Sequence, residues 1–115
     1  MTRSYFVEGV PVPKQSFRAS RHGGYIDPRV KAWEEAVGWE SRRWYPEPLT
    51  CEVNVELTFY LPTSRRVDLD NLSKGTLDGM KGIVFADDSQ VVKLTLSKVL
   101  RKERPGVYVV IEEVR

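Results

Sequence analysis

Apolar and polar side chains alternate over residues 51–61, the most regular pattern in the chain. Successive side chains of a β-strand point to opposite faces, so this alternation predicts a strand with one face on a core and one face toward water. Pro62 follows directly and closes the strand. The apolar positions are Cys51, Val53, Val55, Leu57, Phe59 and Leu61.

Two other stretches repeat their apolar residues with the spacing of an α-helix. The first, 28–45, follows Asp27-Pro28, which is an N-cap acceptor followed by a proline suited to the first helical position, and Pro46 stops it. The second covers 69–81, and Gly82 ends it. The apolar sides consist of Val30, Trp33, Val37 and Trp44 in the first helix, and Leu69, Leu72, Leu77 and Met80 in the second.

Three further stretches, 4–10, 90–101 and 106–113, are rich in β-branched and aromatic residues and predict strands. Residues 103–106 suit a hairpin between the last two strands. The order β-α-β-α-β-β then predicts an α+β fold, a single domain over 1–115, with one mixed sheet and two helices packed on it. Residues 14–27 are expected to form a mobile basic loop.

Composition narrows the function only a little. The net charge of +2 over 115 residues does not by itself indicate a nucleic-acid partner, and no stretch is long and apolar enough to span a membrane. The N-terminus lacks the features of a signal peptide, and the single Cys51 cannot form an intrachain disulfide. We therefore expect a cytoplasmic protein with no small-molecule cofactor.

The charges are unevenly distributed along the chain. The first 31 residues are mostly basic, and Lys14, Arg18 and Arg21 make them a possible DNA-binding arm. The alternative is that these side chains only solvate a surface loop. The acidic residues gather later, at Asp68, Asp70, Asp78, Asp87 and Asp88.

Asp68 and Asp70 lie where a loop becomes the second helix, so their carboxylates can converge there. Asp87 and Asp88 lie in a turn before the next strand. If the sheet brings that turn beside the start of the helix, the carboxylates share one site, and a divalent cation would offset their repulsion. Such a site can hydrolyse a phosphodiester, with Lys74 one turn beyond Asp70 to contact the phosphate.

Each of these residues also has a purely structural interpretation. Asp68 can be a simple N-cap, with Asn71 in the first turn. Lys74 can form surface ion pairs with Asp70 and Asp78 at helical spacing, and the Asp87-Asp88 stretch can be a turn. A lone Asp-x-Asp also occurs in phosphatases and sugar transferases.

Several of these positions together resemble the RusA family of Holliday-junction resolvases. The resemblance rests on Arg-Arg-Val-Asp-Leu-Asp-Asn-Leu at 65–72, on Lys74 and Leu77-Asp78, on Asp-Asp-Ser-Gln-Val-Val at 87–92, and on Lys98. It implies catalysis by Asp68, Asp70, Asp88 and Lys74, with the three aspartates as metal ligands. It further implies supporting roles at the site for Asp78, Asp87 and Asn71, and a DNA contact from Lys98. Independently of the resemblance, the positive charges of Arg65 and Arg66 predict further contacts with DNA phosphates.

The resemblance also implies what such a protein does. We expect a homodimer that binds a four-way DNA junction and nicks two strands symmetrically, with Mg²⁺ as cofactor and Mn²⁺ as a substitute. A two-fold dimer suits a junction of near two-fold symmetry. Two alternatives stay open: a non-catalytic DNA-binding protein of the same fold, and a metal-dependent nuclease or phosphatase that acts on other substrates.

Overall fold

The computed structural model describes residues 1–15 and 27–114, and it contains four strands and two α-helices within that part of the chain. In chain order they are β1 (Thr2–Glu8), α1 (Pro28–Trp44), β2 (Glu52–Leu61), α2 (Leu69–Met80), a 3-10 turn (Asp88–Gln90), β3 (Val91–Leu100) and β4 (Gly106–Val114). The predicted α+β class and element order are confirmed, with boundaries shifted by one or two residues. Arg18 and Arg21, and most of the predicted basic loop, lie outside the described residues.

The strands form one mixed sheet in the order β1-β4-β2-β3. β4 lies antiparallel between β1 and β2, whereas β3 runs parallel to β2 on its far side. The predicted hairpin between β3 and β4 is therefore wrong, because β2 separates the two strands. Instead, residues 101–105 pass the end of β2, where the Arg101 amide donates to the Leu61 carbonyl. Parallel neighbours need a crossover, and α2 supplies it between β2 and β3.

Both helices pack on the same face of the sheet. The alternation predicted for β2 is confirmed, since the side chains of Val53, Val55, Leu57, Phe59 and Leu61 are all buried. The other large members of the core come from every element except β3. They are Tyr5, Val7, Trp33, Val37, Tyr45, Leu72, Met80, Val84, Phe85, Val107, Val109 and Ile111.

Of the predictions made for α1, the N-terminal cap is confirmed and the core position of Trp44 is not. The Asp27 side chain accepts from the Arg29 amide and caps α1, as predicted. Trp33 is buried and donates its indole N–H to Thr76. Trp44 is 41% exposed, stacks on Tyr5 and donates its indole N–H to the Glu40 carboxylate, so its predicted core position is wrong. The helix ends at Trp44, one residue earlier than the predicted range of 28–45, and Trp44 lies at the rim of the core.

No helix in the described ranges is long and apolar enough to cross a membrane. Cys51 lies just before β2, is partly buried, and has its thiol 3.8 Å from a carboxylate oxygen of Glu113.

Candidate active site

The start of α2 presents two carboxylates to solvent. Asp68 occupies the N-cap position, yet its side chain makes no capping hydrogen bond, so the purely capping interpretation of this residue is wrong. Asp70, in the first turn, has a side chain 79% exposed, and its carboxylate lies 3.4 Å from the Lys74 ammonium. A helix N-terminus stabilises negative charge nearby. Asp68, Asp70 and Lys74 therefore form one exposed group at this end of the helix.

The loop between β2 and α2 carries two arginines and is anchored from β3. Arg65 and Arg66 are exposed, and neither forms an ion pair with another described residue. Lys98 of β3 donates from its Nζ to the Val67 carbonyl at 2.8 Å, in a partly buried position. The ammonium predicted to contact DNA is therefore bonded to the residue directly before Asp68.

Asp87 and Asp88 lie in a well-ordered turn. The Asp87 side chain accepts from the Ser89 amide, and the Gln90 side chain accepts from the Asp87 amide, which is a capping box. The hydrogen bonds from Ser89, followed by the nearby Lys81 ammonium at 3.4 Å, hold the pKa of Asp87 below its ordinary value. Asp87 is thus occupied in building the turn, while Asp88 is exposed at the first position of the 3-10 turn.

Gln90 fixes this turn to the body of the protein. Its side-chain amide donates to the carbonyl oxygens of Leu49 and Cys51, at 2.8 and 2.9 Å. Gln90 belongs to the 87–92 segment that carries the family resemblance, but no role was predicted for its side chain. The only signal in the sequence is a polar side chain directly before a strand of β-branched residues. Two of the Gln90 bonds reach backbone groups 41 and 39 residues away, and such contacts can only be found in the folded chain.

The two acidic segments lie at opposite ends of β3, so the expectation that they meet within one chain is wrong. Val91 pairs with Val53 at the start of β2, whereas Lys98 pairs with Phe59 near its end and reaches Val67. The seven steps from Val91 to Lys98 span about 23 Å at the usual rise of a strand.

Helix α2 gives a second measure of the same separation. Asp68 precedes its first residue, whereas Asp87 contacts Lys81 just after its last. Twelve helical residues span about 18 Å. Consistently, no three His, Cys, Asp or Glu side chains of the described residues lie close enough to hold a metal ion.

Asp68, Asp70 and Asp88 fit a hard divalent cation in their chemistry, since all three are exposed carboxylates. The three carboxylates of one chain cannot bind the same cation, because Asp88 lies at the opposite end of β3 from Asp68 and Asp70. Mg²⁺ is commonly held by one or two carboxylates together with waters and substrate phosphates. The Asp68–Asp70 group meets that smaller requirement.

The remaining predicted site residues lie elsewhere or serve the fold. Lys14 bonds to Asp78 at 2.7 Å and to Glu34 at 2.9 Å, which joins the segment after β1 to both helices. These hydrogen bonds, led by the one to Asp78, raise the pKa of Lys14. Asp78 pairs with Lys14, and Asn71 accepts from the Lys14 amide through its backbone carbonyl. A DNA contact from Lys14 stays a prediction.

Comparison with known proteins gives one family. The sequence model of Endodeoxyribonuclease RusA matches residues 8–112. The chain is 31% identical over 108 residues to the crossover junction endodeoxyribonuclease RusA of Aquifex aeolicus (strain VF5), covering 90% of this chain and 86% of that protein. It is also 29% identical over 136 aligned positions to the uncharacterized protein YqaN of Bacillus subtilis (strain 168), covering 96% and 95% of the two chains.

The match spans both acidic segments, the anchoring Lys98, both helices, strands β2 and β3, and most of β4. It defines the class of the protein as an endodeoxyribonuclease, a DNA-cutting enzyme built on a small mixed sheet. The chain belongs to the RusA family. The resemblance seen in residues 65–98 is thereby confirmed and extended over most of the chain.

Proposed function

We propose that this protein is a Mg²⁺-dependent endonuclease that resolves four-way DNA junctions as a homodimer, by paired symmetric nicks. The family and the Aquifex relative support the nuclease class and the junction substrate. The observation that carries the proposal is the position of Asp68 and Asp70 at one end of β3 and of Asp88 at the other. One copy cannot assemble the three carboxylates, but two copies related by a two-fold axis perpendicular to β3, through its middle, would do so.

β3 is the strand best suited to meet a second copy. It is a sheet edge, with β2 on one side and no described strand on the other. It is ten residues long, and Val92, Leu94, Val99 and Leu100 are 39–52% exposed. A long, apolar edge strand with unpaired backbone groups readily pairs with another chain.

A two-fold axis across the middle of β3 makes the two β3 strands antiparallel. The start of one then lies beside the end of the other. The turn that carries Asp88 of the partner subunit therefore approaches the end where Lys98 contacts Val67 and where Asp68 and Asp70 begin α2. The same operation generates a second, equivalent site, which matches the two equivalent strands of a four-way junction.

Each proposed site has metal ligands from both copies and a lysine that contacts the phosphate. Asp68 and Asp70 of one copy, with Asp88 of the partner subunit, would hold the cation, and Mn²⁺ would substitute for it. The bound cation supplies activation of a water and charge stabilisation at the phosphate. Lys74, held one turn from Asp70, places a positive charge against the same phosphate.

DNA binding rests mainly on phosphate contacts. Arg65 and Arg66 are exposed beside Asp68, without ion pairs to other described residues, so their charges are available to the DNA backbone. Binding by such contacts weakens steeply with salt because counterions are released. Junctions would be selected by shape rather than by base edges.

A second function is favoured by the same separation of the carboxylates. If the protein acts as a monomer, the described residues offer no three-carboxylate site, and the protein would be a DNA-binding member of the family that does not cut. A panel of four-way junction, flap, duplex and nucleotide substrates in Mg²⁺ and Mn²⁺ separates these functions. Binding of the junction without cleavage by a dimeric preparation would favour the non-catalytic function.

The Asp70→Asn variant tests the site itself. We expect it to abolish cleavage while junction affinity stays within about threefold, since phosphate contacts dominate affinity. Mg²⁺ should raise the Tm of the wild type more than that of the variant. Glu56→Gln, on the sheet face away from the helices, is the matched control and should behave as the wild type. Junction cleavage by Asp70→Asn at the wild-type rate would refute the assignment.

A further inference from the structure

The loop that delivers Asp68 to the site is held by a side chain from another element. Residues 62–67 have no helical or strand structure, and the loop turns the chain from β2 into α2. Lys98, on β3, bonds the Val67 carbonyl at 2.8 Å, 31 residues away along the chain. The contact links the edge strand directly to the residue before Asp68.

The position of Lys98 on β3 favours this role. Lys98 pairs with Phe59, whose side chain is fully buried under the helices, so the Lys98 side chain also projects toward the helical face of the sheet. Its ammonium is partly buried at the carbonyl rather than extended into solvent. A side chain that reaches solvated DNA would not be held back against the protein in this way.

We propose that Lys98 is a positioning residue, which fixes the loop at Val67 and so sets where the Asp68 carboxylate meets the cation. This inference rests on the proposed function of Asp68. The bond also holds a positive charge at the residue before Asp68, in addition to the Lys74 charge near Asp70. Groups that orient metal ligands typically change metal affinity or activity by about 10–100-fold when they are removed.

Three variants test the proposal. Lys98→Met removes the charge and the donor but keeps most of the aliphatic stem, whereas Lys98→Arg keeps both the charge and a donor. Lys102→Met removes one exposed lysine charge from the loop between β3 and β4 and serves as the matched control. Before the variants are compared, sedimentation is used to check that all three keep the assembly state of the wild type.

The first measurement is amide hydrogen exchange of the metal-free protein, which does not depend on activity. We expect exchange in residues 62–70 to be about tenfold faster in Lys98→Met, close to normal in Lys98→Arg and unchanged in Lys102→Met, because the tether holds this segment closed. Unchanged exchange in Lys98→Met would overturn the proposal.

The second measurement is steady-state junction cleavage. We expect Lys98→Met to lower kcat about 10–100-fold and to need more Mg²⁺ for half-maximal rate, with KM for the junction changed less than about threefold. Lys98→Arg should recover part of kcat. A DNA-contacting lysine would instead weaken junction binding and reduce the salt slope by about one, and that result would also overturn the proposal.

The two measurements keep this inference distinct from the proposed function. If wild-type dimers fail to cut junctions but Lys98→Met loosens residues 62–70, the proposed function is refuted and the tether stands. If wild-type protein cuts junctions and Lys98→Met neither loosens the loop nor lowers kcat, the tether is refuted and the nuclease stands.

Discussion

Gly79 determines how closely α2 approaches α1, and a single methyl group at this position tests that packing. A Cβ built on Gly79 would lie 2.7 Å from the Glu34 carbonyl oxygen and 3.0 Å from the Val37 Cβ, so the helices would have to separate. Gly75, in the same helix, has its nearest neighbour, the Val12 carbonyl oxygen, at 3.3 Å. Gly75→Ala is therefore the matched control.

Both substitutions add the same favourable contribution to the free energy of unfolding. Replacing glycine by alanine inside a helix gains about 0.8–1.0 kcal/mol of propensity. Against this, forcing extra volume into packed backbone costs about 1–3 kcal/mol, and the cost at Gly79 involves backbone atoms that cannot rotate away. We expect Gly79→Ala to be less stable than Gly75→Ala by roughly 1–2 kcal/mol.

Thermal denaturation at fixed protein concentration measures the difference. One kcal/mol corresponds to a Tm shift of about 4–8 °C in a domain of about 100 residues. Gly79→Ala should lie several degrees below the wild type, whereas Gly75→Ala should lie near it. Helix propensity alone predicts that both variants are stabilised equally, so a Tm of Gly79→Ala equal to that of Gly75→Ala would refute the packing argument.

Two further predictions concern the surface. The pKa of Lys14 is raised, so the stability from its bonds to Asp78 and Glu34 is present below its ordinary pKa of about 10.4 and is lost as the pH rises through the raised value. Lys14→Met should therefore lower Tm at pH 8 but no longer at strongly alkaline pH, and a deficit that is constant with pH would contradict the ion-pair explanation. Leu94→Lys should convert the proposed dimer to monomer in sedimentation experiments, because it places a charge on the edge strand, whereas Ser4→Lys on the opposite sheet edge should not. A dimeric Leu94→Lys protein would exclude β3 pairing.

Much of the fold is encoded in local patterns. The alternation of β2 and the cap at Asp27 each depend on neighbouring residues only, and both predictions are confirmed. Strand order is not local in this sense. A Pro-Gly pair between two β-rich stretches suggests a hairpin, but β4 gains two partners by inserting between β1 and β2. The residues of the turn alone do not predict this strand order.

The incorrect hairpin and the incorrect carboxylate cluster have one cause. Because β3 is parallel to β2, its first residue lies at the start of β2, and Asp88 is carried away from the loop that follows the end of β2. The residue types of the site are readable from the sequence, since exposed aspartates beside arginines favour metal and phosphate chemistry. Their distance depends on strand direction and, in the proposed dimer, on a second chain.

Lys98 is a further case in which the sequence alone does not predict a contact made in the folded chain. The family resemblance implies a DNA contact for Lys98, because this lysine matches a position that recurs in the family. Its bond to Val67 depends on the loop between β2 and α2 folding back along β3. No periodicity in the sequence predicts that contact.

The central claim, that each site combines Asp68 and Asp70 of one copy with Asp88 of the other, is tested most directly by mixing two inactive proteins. Asp70→Asn and Asp88→Asn are purified separately, mixed under conditions that exchange subunits, and assayed on a four-way junction. Random exchange makes about half of the dimers mixed, and each mixed dimer would contain one site with all three aspartates. We predict that the mixture regains single-strand nicking of the junction while neither variant alone cuts it; a mixture that stays inactive after verified exchange would contradict the shared site.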